Sequence, residues 1–385
     1  MKCDFKIENG YIFNPVSGNF CQGDIWVNDG KIIDSNQNNV AAVVIDASGK
    51  YVVPGLIDEH AHFYLRGSLI GSNPDTVCIP NGITTAVDAG TTGVSGFESF
   101  YNQNIVSCEP TILAYLSVST YGNKSLCLHE ENHDPADFRE DLILKMFEKY
   151  PNVLRGLKVR MSKSTLGHYG LSPLKKAVEI ADTVNKAGYK CIIAAHYDNL
   201  PEDVSVCDMM SLFRPGDIVA HVFQTKGETI FNSDGSVKEC VKNAQHRGVY
   251  IDDCHGRVHW SFANLEKALK DGFYPDIISS DIVRVSEYVR PGFSLNYAMS
   301  ALSAAGMEVE KILKAVTYTP AKALGIADYA GVLEAGRSAD IAIMDIVDSD
   351  MMLFDNYGGQ KKANKLFVPL LTMKHGRVAY RQIFF

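Results

Sequence analysis

The sequence predicts an α/β protein in which a (β/α)8 TIM barrel is inserted into a small β-sandwich built from both chain termini. Three observations predict it. Both ends read as short strands interrupted by tight-turn dipeptides. Between them, apolar runs of about five to nine residues alternate with helical stretches, the pattern of βα units around a parallel sheet. Eight such runs occur, the number that closes a barrel.

The N-terminal stretches "CDFKIENGYIF", "GDIWVNDGKIID" and "AAVVIDASGKYVV" combine β-formers with "NG", "DG" or "SG" turn signals. The grammar changes at Pro54-Gly55. The runs that follow are "VVPGLIDEHAH", "GITTAVDAG", "TILAYLSVS", "VLRGLKVRM", "KCIIAAH", "DIVAHVF", "VYIDDCHG" and "DIISSDI". Helical material separates most of them, as in "SPLKKAVEIADTVNKAG" and "SVKECVKNAQHRG", and "ALSAAGMEVEKILKAVTYTPAKALG" supplies closing helices. After Gly331, "GVLEAGRSADIAIMDIV" and "FVPLLTMKHGRVAYRQ" return to strands and turns. The expected division is therefore a sandwich from 1–53 plus 331–385 and a barrel from 54–330. The polar stretch "NKSLCLHEENHDPADFRED" reads as a surface loop.

With 385 residues, 46% of them hydrophobic, the chain is long enough for a large core and a second, smaller module. A net charge of -8 argues against nucleic acid as a partner, because that surface needs cations to displace phosphate counterions. The N-terminus lacks a signal-peptide apolar block, and no apolar run approaches the roughly 18 residues of a membrane span. Nine singly scattered cysteines with no CxxC pair read as buried or free thiols of a cytoplasmic protein, not as a disulfide framework.

Barrel active sites form at the C-terminal ends of the strands. The first strand ends in His60 and His62, whose spacing of two directs both imidazoles to one face. The fourth carries Lys158 between apolar neighbours. The fifth ends in His196, the sixth carries His221, the seventh runs into His255, and the eighth ends in Asp281. One strand-end histidine is more often a hydrogen-bonded core or loop residue, and Lys158 alone reads as an outward-facing residue. Asp281 alone reads as a helix cap. All of them in the right strands is a different matter. A buried lysine is costly unless paired, and carboxylation by CO2 would turn it into an anion that can bridge two cations.

On "GLIDEHAHFY", "GLKVRMS", "IIAAH", "IVAHVF" and "PDIISSD", in strand order, the chain resembles the amidohydrolase superfamily, and "GVLEAGRSADIAIMD" resembles that family's return into its β-sandwich. The resemblance implies a binuclear metal-dependent hydrolase in which His60, His62, Lys158 and Asp281 hold one divalent ion. His196 and His221 would hold the second, with carboxylated Lys158 bridging. Such N/O ligands suit Zn2+ best, with Mn2+, Co2+ or Fe2+ as alternatives. The two cations would share a hydroxide, with Asp281 as the catalytic acid–base. "GLKVRMSKS" and "CHGRVHWSF" followed by "GFYPDIISSDI" look most like a dihydroorotase-like subgroup whose members act as deacetylases on small N-acyl or α-acyloxy carboxylates, of the acetyl-mandelate type.

Within that reading, Arg160 shares the inward face of Lys158 and is a candidate grip for a substrate carboxylate, against a structural ion pair. His255 is a second candidate substrate contact, against a loop cap. The loop around Asp253, Arg257, His259 and Trp260 is expected to shape the pocket. Alternatives are a cyclic-amide hydrolase of the dihydroorotase kind, a nucleobase-type deaminase, or an inactive scaffold. Tyr64 stands where a typical dihydroorotase has arginine, which disfavours the first. Lys158 disfavours the second, and filled ligand positions the third. The resemblance also implies a homo-oligomer.

Overall fold

A computed structural model describes residues 2–35, 39–124, 128–129 and 131–385. The N-terminal part forms β1 (Lys2–Asn14), β2 (Asn19–Asn28), β3 (Lys31–Ile33), β4 (Val40–Asp46) and β5 (Tyr51–Pro54). Beyond the barrel come β13 (Ile341–Asp348), β14 (Met352–Phe354), β15 (Gln360–Lys362), β16 (Lys365–Lys374) and β17 (Arg377–Arg381). All of these except the separate β14–β15 pair join one eight-stranded sheet in the order β17-β16-β13-β5-β1-β2-β3, with β4 also on β1. The two chain ends meet where β13 runs antiparallel to β5, Ile343 opposite Val52. Alternate residues point inward to a shared apolar core that includes Ile7, Ile25, Val27, Ile45, Val52, Ile341, Ile343 and Leu371.

One turn signal resolves differently. Asn9-Gly10 does not end a strand; it makes a bulge inside β1, where the pairing with β2 shifts register between Ile7 and Gly10. Asn9 takes a left-handed φ of 64° and is held by Asp24 and Asp46. Gly10 is required by contact, since a Cβ there would lie 2.4 Å from Val52 Cγ2.

The barrel strands are β6 (Leu56–Ala61), β7 (Ile83–Ala89), β8 (Thr111–Ser117), β9 (Leu154–Met161), β10 (Ile192–Tyr197), β11 (Ile218–Ala220) and β12 (Tyr250–Asp252). Neighbours pair in parallel in sequence order. They are buried almost throughout, which is why they read as mainly apolar stretches without a polar, solvent-facing alternation. The eighth position is filled by an irregular segment that bridges Asp252 to Ile277 and Ala61 to Ile282, closing the ring. Its backbone is tied by side chains instead of a full ladder: Ser280 N and Oγ both donate to Asp58.

Outer helices cover the ring with one apolar stripe each. In Ser172–Lys186 the buried residues include Leu174, Ala177, Ile180, Ala181 and Val184, the spacing of one helical face. The helix Leu295–Ala304 is buried along its whole length, because it lies between the barrel and β16, where Ser300 Oγ accepts from Phe367 N. No helix among the described residues is long and apolar enough to cross a membrane.

Two sequence expectations need correction. Cys207 and Cys240 are joined as a disulfide between the helices Val206–Leu212 and Glu239–His246, although nothing in their spacing of 33 announces it. Cys21, Cys78, Cys108, Cys191 and Cys254 are free, and Cys127 lies outside the described residues. The stretch 123–141 is not a plain surface loop either. Asn123, Glu131 and His133 are buried, because Glu131 accepts from Ser117 Oγ and His133 Nε2 accepts from Arg160 N. Residues 125–127 and 130 of that stretch lie outside the described residues.

Candidate active site

Six of the eight singled-out residues line one cavity of about 330 Å3 at the C-terminal mouth of the barrel: His60, His62, Lys158, Arg160, His196 and Asp281. His221 lies just beneath, fully buried, with its ring 4.4 Å from that of His196 and 5.3 Å from that of His60. Ile70, Val258, Val283 and Val285 supply apolar wall, and Asn123 and Arg257 supply polar wall.

Asp281 is the hub. One of its carboxylate oxygens lies 3.7 Å from His60 Nε2 and 3.5 Å from His62 Nε2; the other lies 3.9 Å from His221 Nε2. These separations exceed a normal hydrogen bond. They suit donors that face a common cation, since two ligands about 2.1 Å from zinc at a tetrahedral angle stand roughly 3.4 Å apart. His60, His62 and Asp281 thus fit a divalent ion, and so do His60, His221 and Cys254, each set with ligand atoms within 4.8 Å of one another.

The outer nitrogens are oriented from behind. Thr91 Oγ1 lies 2.8 Å from His62 Nδ1 and donates to Asp88 Oδ2, which also accepts from Phe63 N. His221 Nδ1 meets the Cys254 carbonyl at 2.9 Å. Such contacts free the opposite nitrogen for a ligand role. His221, Cys254 and Asp281 all take left-handed φ angles, 67°, 39° and 46°, a backbone state that non-glycine residues adopt at a cost.

The electrostatics follow from burial. It pushes the His60 and His196 imidazoles well below their usual range and His221 down to about 3, so all three are neutral lone-pair donors. Burial likewise lowers the Lys158 amine, which is 2% exposed and sits 2.8 Å from His60 Nε2. Burial alone would raise Asp281. The facing His62 imidazole, with His221 and His60 nearby, outweighs it and holds the carboxyl well below the usual range.

Arg160 reaches the cavity, as the i, i+2 relation to Lys158 requires. Its guanidinium Nε is buried without a partner, 3.8 Å from an equally unpartnered Glu131 oxygen. His255 goes elsewhere. It is fully buried behind the site, its ring stacked 4.1 Å from Trp260 and 5.8 Å from Tyr297, and it is not among the residues lining the cavity. The Trp260 indole, pinned by Asp253, draws the ring there. Tyr64 packs on Phe100, with ring centroids 5.2 Å apart.

Sequence reasoning missed Cys254 and Asp198 as neighbours of the ligands, and it placed His259 only as a pocket-shaping residue. His259 rests 4.8 Å from the His196 ring and 4.7 Å from the His221 ring, centroid to centroid. The HxH-like spacing of His196 and Asp198 was the available signal.

Known proteins share this arrangement's fold and sequence. Residues 229–379 match the Amidohydrolase family model. A deacetylase of Agrobacterium fabrum is 30% identical over 325 residues, covering 84% of this chain and 78% of that one. A deacetylase of Enterococcus faecalis is 27% identical over 331 residues, covering 86% and 87%. The crystal structure of an adenine deaminase superposes with a TM-score of 0.89 at 26% identity, covering 99% of this chain and 100% of that one. A TIM-barrel fold, a mouth lined by neutral imidazoles and a carboxylate, and relatives at this level lead to one assignment: the chain belongs to the amidohydrolase family and is a hydrolytic enzyme.

Proposed function

We propose that the protein is a metal-dependent deacylase that cleaves the amide or ester bond of a small N-acyl or α-acyloxy carboxylate, with acetyl as the acyl group. The observation that carries this reading is the convergence of His60, His62, Lys158, His196, His221 and Asp281 on the barrel mouth beside Arg160. In this reading His60, His62 and Asp281 would hold one cation and His196 and His221 the second, with Lys158, carboxylated by CO2, as a further anionic ligand. A buried lysine that makes no ion pair with a carboxylate among the described residues favours such a modification, because the carbamate lets its charge be balanced by cations.

When bound, the cations would polarise the scissile carbonyl and make water nucleophilic near neutral pH. Asp281 takes the proton from that water and delivers it to the leaving nitrogen or oxygen, as a carboxylate kept ionised beside the reacting atoms can. Arg160 holds the substrate carboxylate through its free guanidinium edge. Ile70, Val258, Val283 and Val285 leave an apolar surface for a short acyl group and a modest side chain. The deacetylase names of the two relatives support acetyl as that group.

The test is acetate release by the zinc- or manganese-reconstituted enzyme from a panel of N-acetyl amino acids and O-acetyl 2-hydroxy acids, with adenine as comparator. Turnover is expected on acetylated acids and not on the corresponding amides, which lack the carboxylate for Arg160. Ammonia release from adenine faster than acetate release from every acid would overturn the deacylase reading in favour of a deaminase.

A further inference from the structure

Beside the site, on its His196 side, lies a second set of donors. His196 at the end of β10, Asp198 in the following turn and His259 in the loop after β12 each bring one ligand atom to within 4.8 Å of the others. Their exposures are 6%, 9% and 8%. Each has a buried atom with no hydrogen-bond partner: Nε2 of His196, Oδ1 of Asp198 and Nδ1 of His259.

Asp198 Oδ2 stands 3.6 Å from His259 Nδ1. That is too far for a normal hydrogen bond, yet close to the roughly 3.4 Å between two donors on one tetrahedral zinc. A carboxylate and two imidazoles that lose hydration and narrowly miss each other are unfavourable unless something fills the gap. The only cationic side chain paired with Asp198 among the described residues is Lys226. Its amine stands 4.0 Å away and its side chain is 47% exposed, so it does not neutralise the carboxylate from within. Two imidazoles and a carboxylate form a donor set for a borderline divalent ion such as Zn2+.

We propose that Asp198 and His259 are metal ligands, joining His196 to hold the cation on that side of the pocket. The inference rests on the paired-ion reading only for the presence of that cation; the donors themselves are independent of Lys158, His60 and His62. With these two additional donors, the His196-side ion has an anchoring carboxylate of its own, as Asp281 provides on the other side.

The experiment titrates chelator-stripped, full-length protein with Zn2+, and separately with Co2+ while recording the visible spectrum, for wild type, Asp198→Asn, His259→Gln, the double variant and His60→Ala. In wild type two ions are expected. Asp198→Asn and His259→Gln should each weaken one ion at least about tenfold and change its cobalt spectrum, leaving the other ion unmoved. The double variant should lose less than the product of the two single losses, because both donors act on one ion. His60→Ala should weaken the opposite ion. Two ions indifferent to Asp198→Asn and His259→Gln would overturn this inference alone. Equal weakening of both ions would overturn it too, as general damage. A single ion sensitive to His259→Gln but not to His60→Ala would keep this inference and refute the paired site; no ion at all would refute both.

Discussion

The barrel mouth and the terminal sheet handle burial in opposite ways. In the sheet, apolar side chains such as Ile7, Val52, Ile343 and Leu371 fill the core, and the backbone groups pair with neighbouring strands. At the mouth, buried His196, Asp198 and Glu131 and partly buried Arg160 each leave a polar atom unpartnered, beside a buried lysine and three left-handed backbones. The sheet is built for stability. The mouth stores unsatisfied bonding capacity, which is what a site that binds cations and substrate requires, at the expense of the empty protein's stability.

Substitutions at four positions break or sharpen this contrast. Asp281→Asn removes the proton acceptor while keeping size and most contacts. Turnover should fall about 10²–10⁴-fold with most metal retained, as read by steady-state kinetics and metal analysis, and near-normal kcat would refute the acid–base role. Lys158→Met should abolish turnover yet make the metal-free protein more stable by about 1–4 kcal/mol in denaturant unfolding, since a buried amine is exchanged for an apolar chain of similar volume. A less stable metal-free variant would contradict that. In the smaller Lys158→Ala, short carboxylic acids should restore part of the activity by standing in for the carbamate. Arg160→Met should raise KM about 10–100-fold with a smaller change in kcat, the loss expected of a charged hydrogen-bond pair; an unchanged KM would assign Arg160 to Glu131 alone. Gly10→Ala lies at the other pole. Its Cβ would meet Val52 at 2.4 Å, so stability should drop by about 1–3 kcal/mol with kcat/KM unchanged.

The same contrast explains what could be read from the sequence. Strands buried on both faces are rich in apolar residues, so seven barrel strands were visible, and the i, i+2 rule made His60/His62 and Lys158/Arg160 visible as inward pairs. The eighth strand was legible by position but not by form, because Ser279 to Asp281 bond through side chains and single bridges. His255 was misplaced because the strand period ends before it: past Asp252 the chain leaves the ladder, and stacking on Trp260 decides where the ring goes. Glu131, His133 and His259 arrive from loops, whose approach to the site is set by tertiary packing and has no period to read. The Cys207–Cys240 pair joins two surface helices on the same ground.

The antiparallel pairing of β13 with β5 has a bearing on the order of events during synthesis. β5 is separated from β6, and therefore from His60 and His62, by Gly55 alone, whose N–H donates to the carbonyl of Asp340 at the threshold of β13. The strand that presents the paired imidazoles is thus buttressed by residues that a ribosome adds some 280 positions later. A nascent chain with its barrel already emerged still lacks the clasp at the base of its first strand, so full metal-binding competence should appear only once β13 has been synthesised.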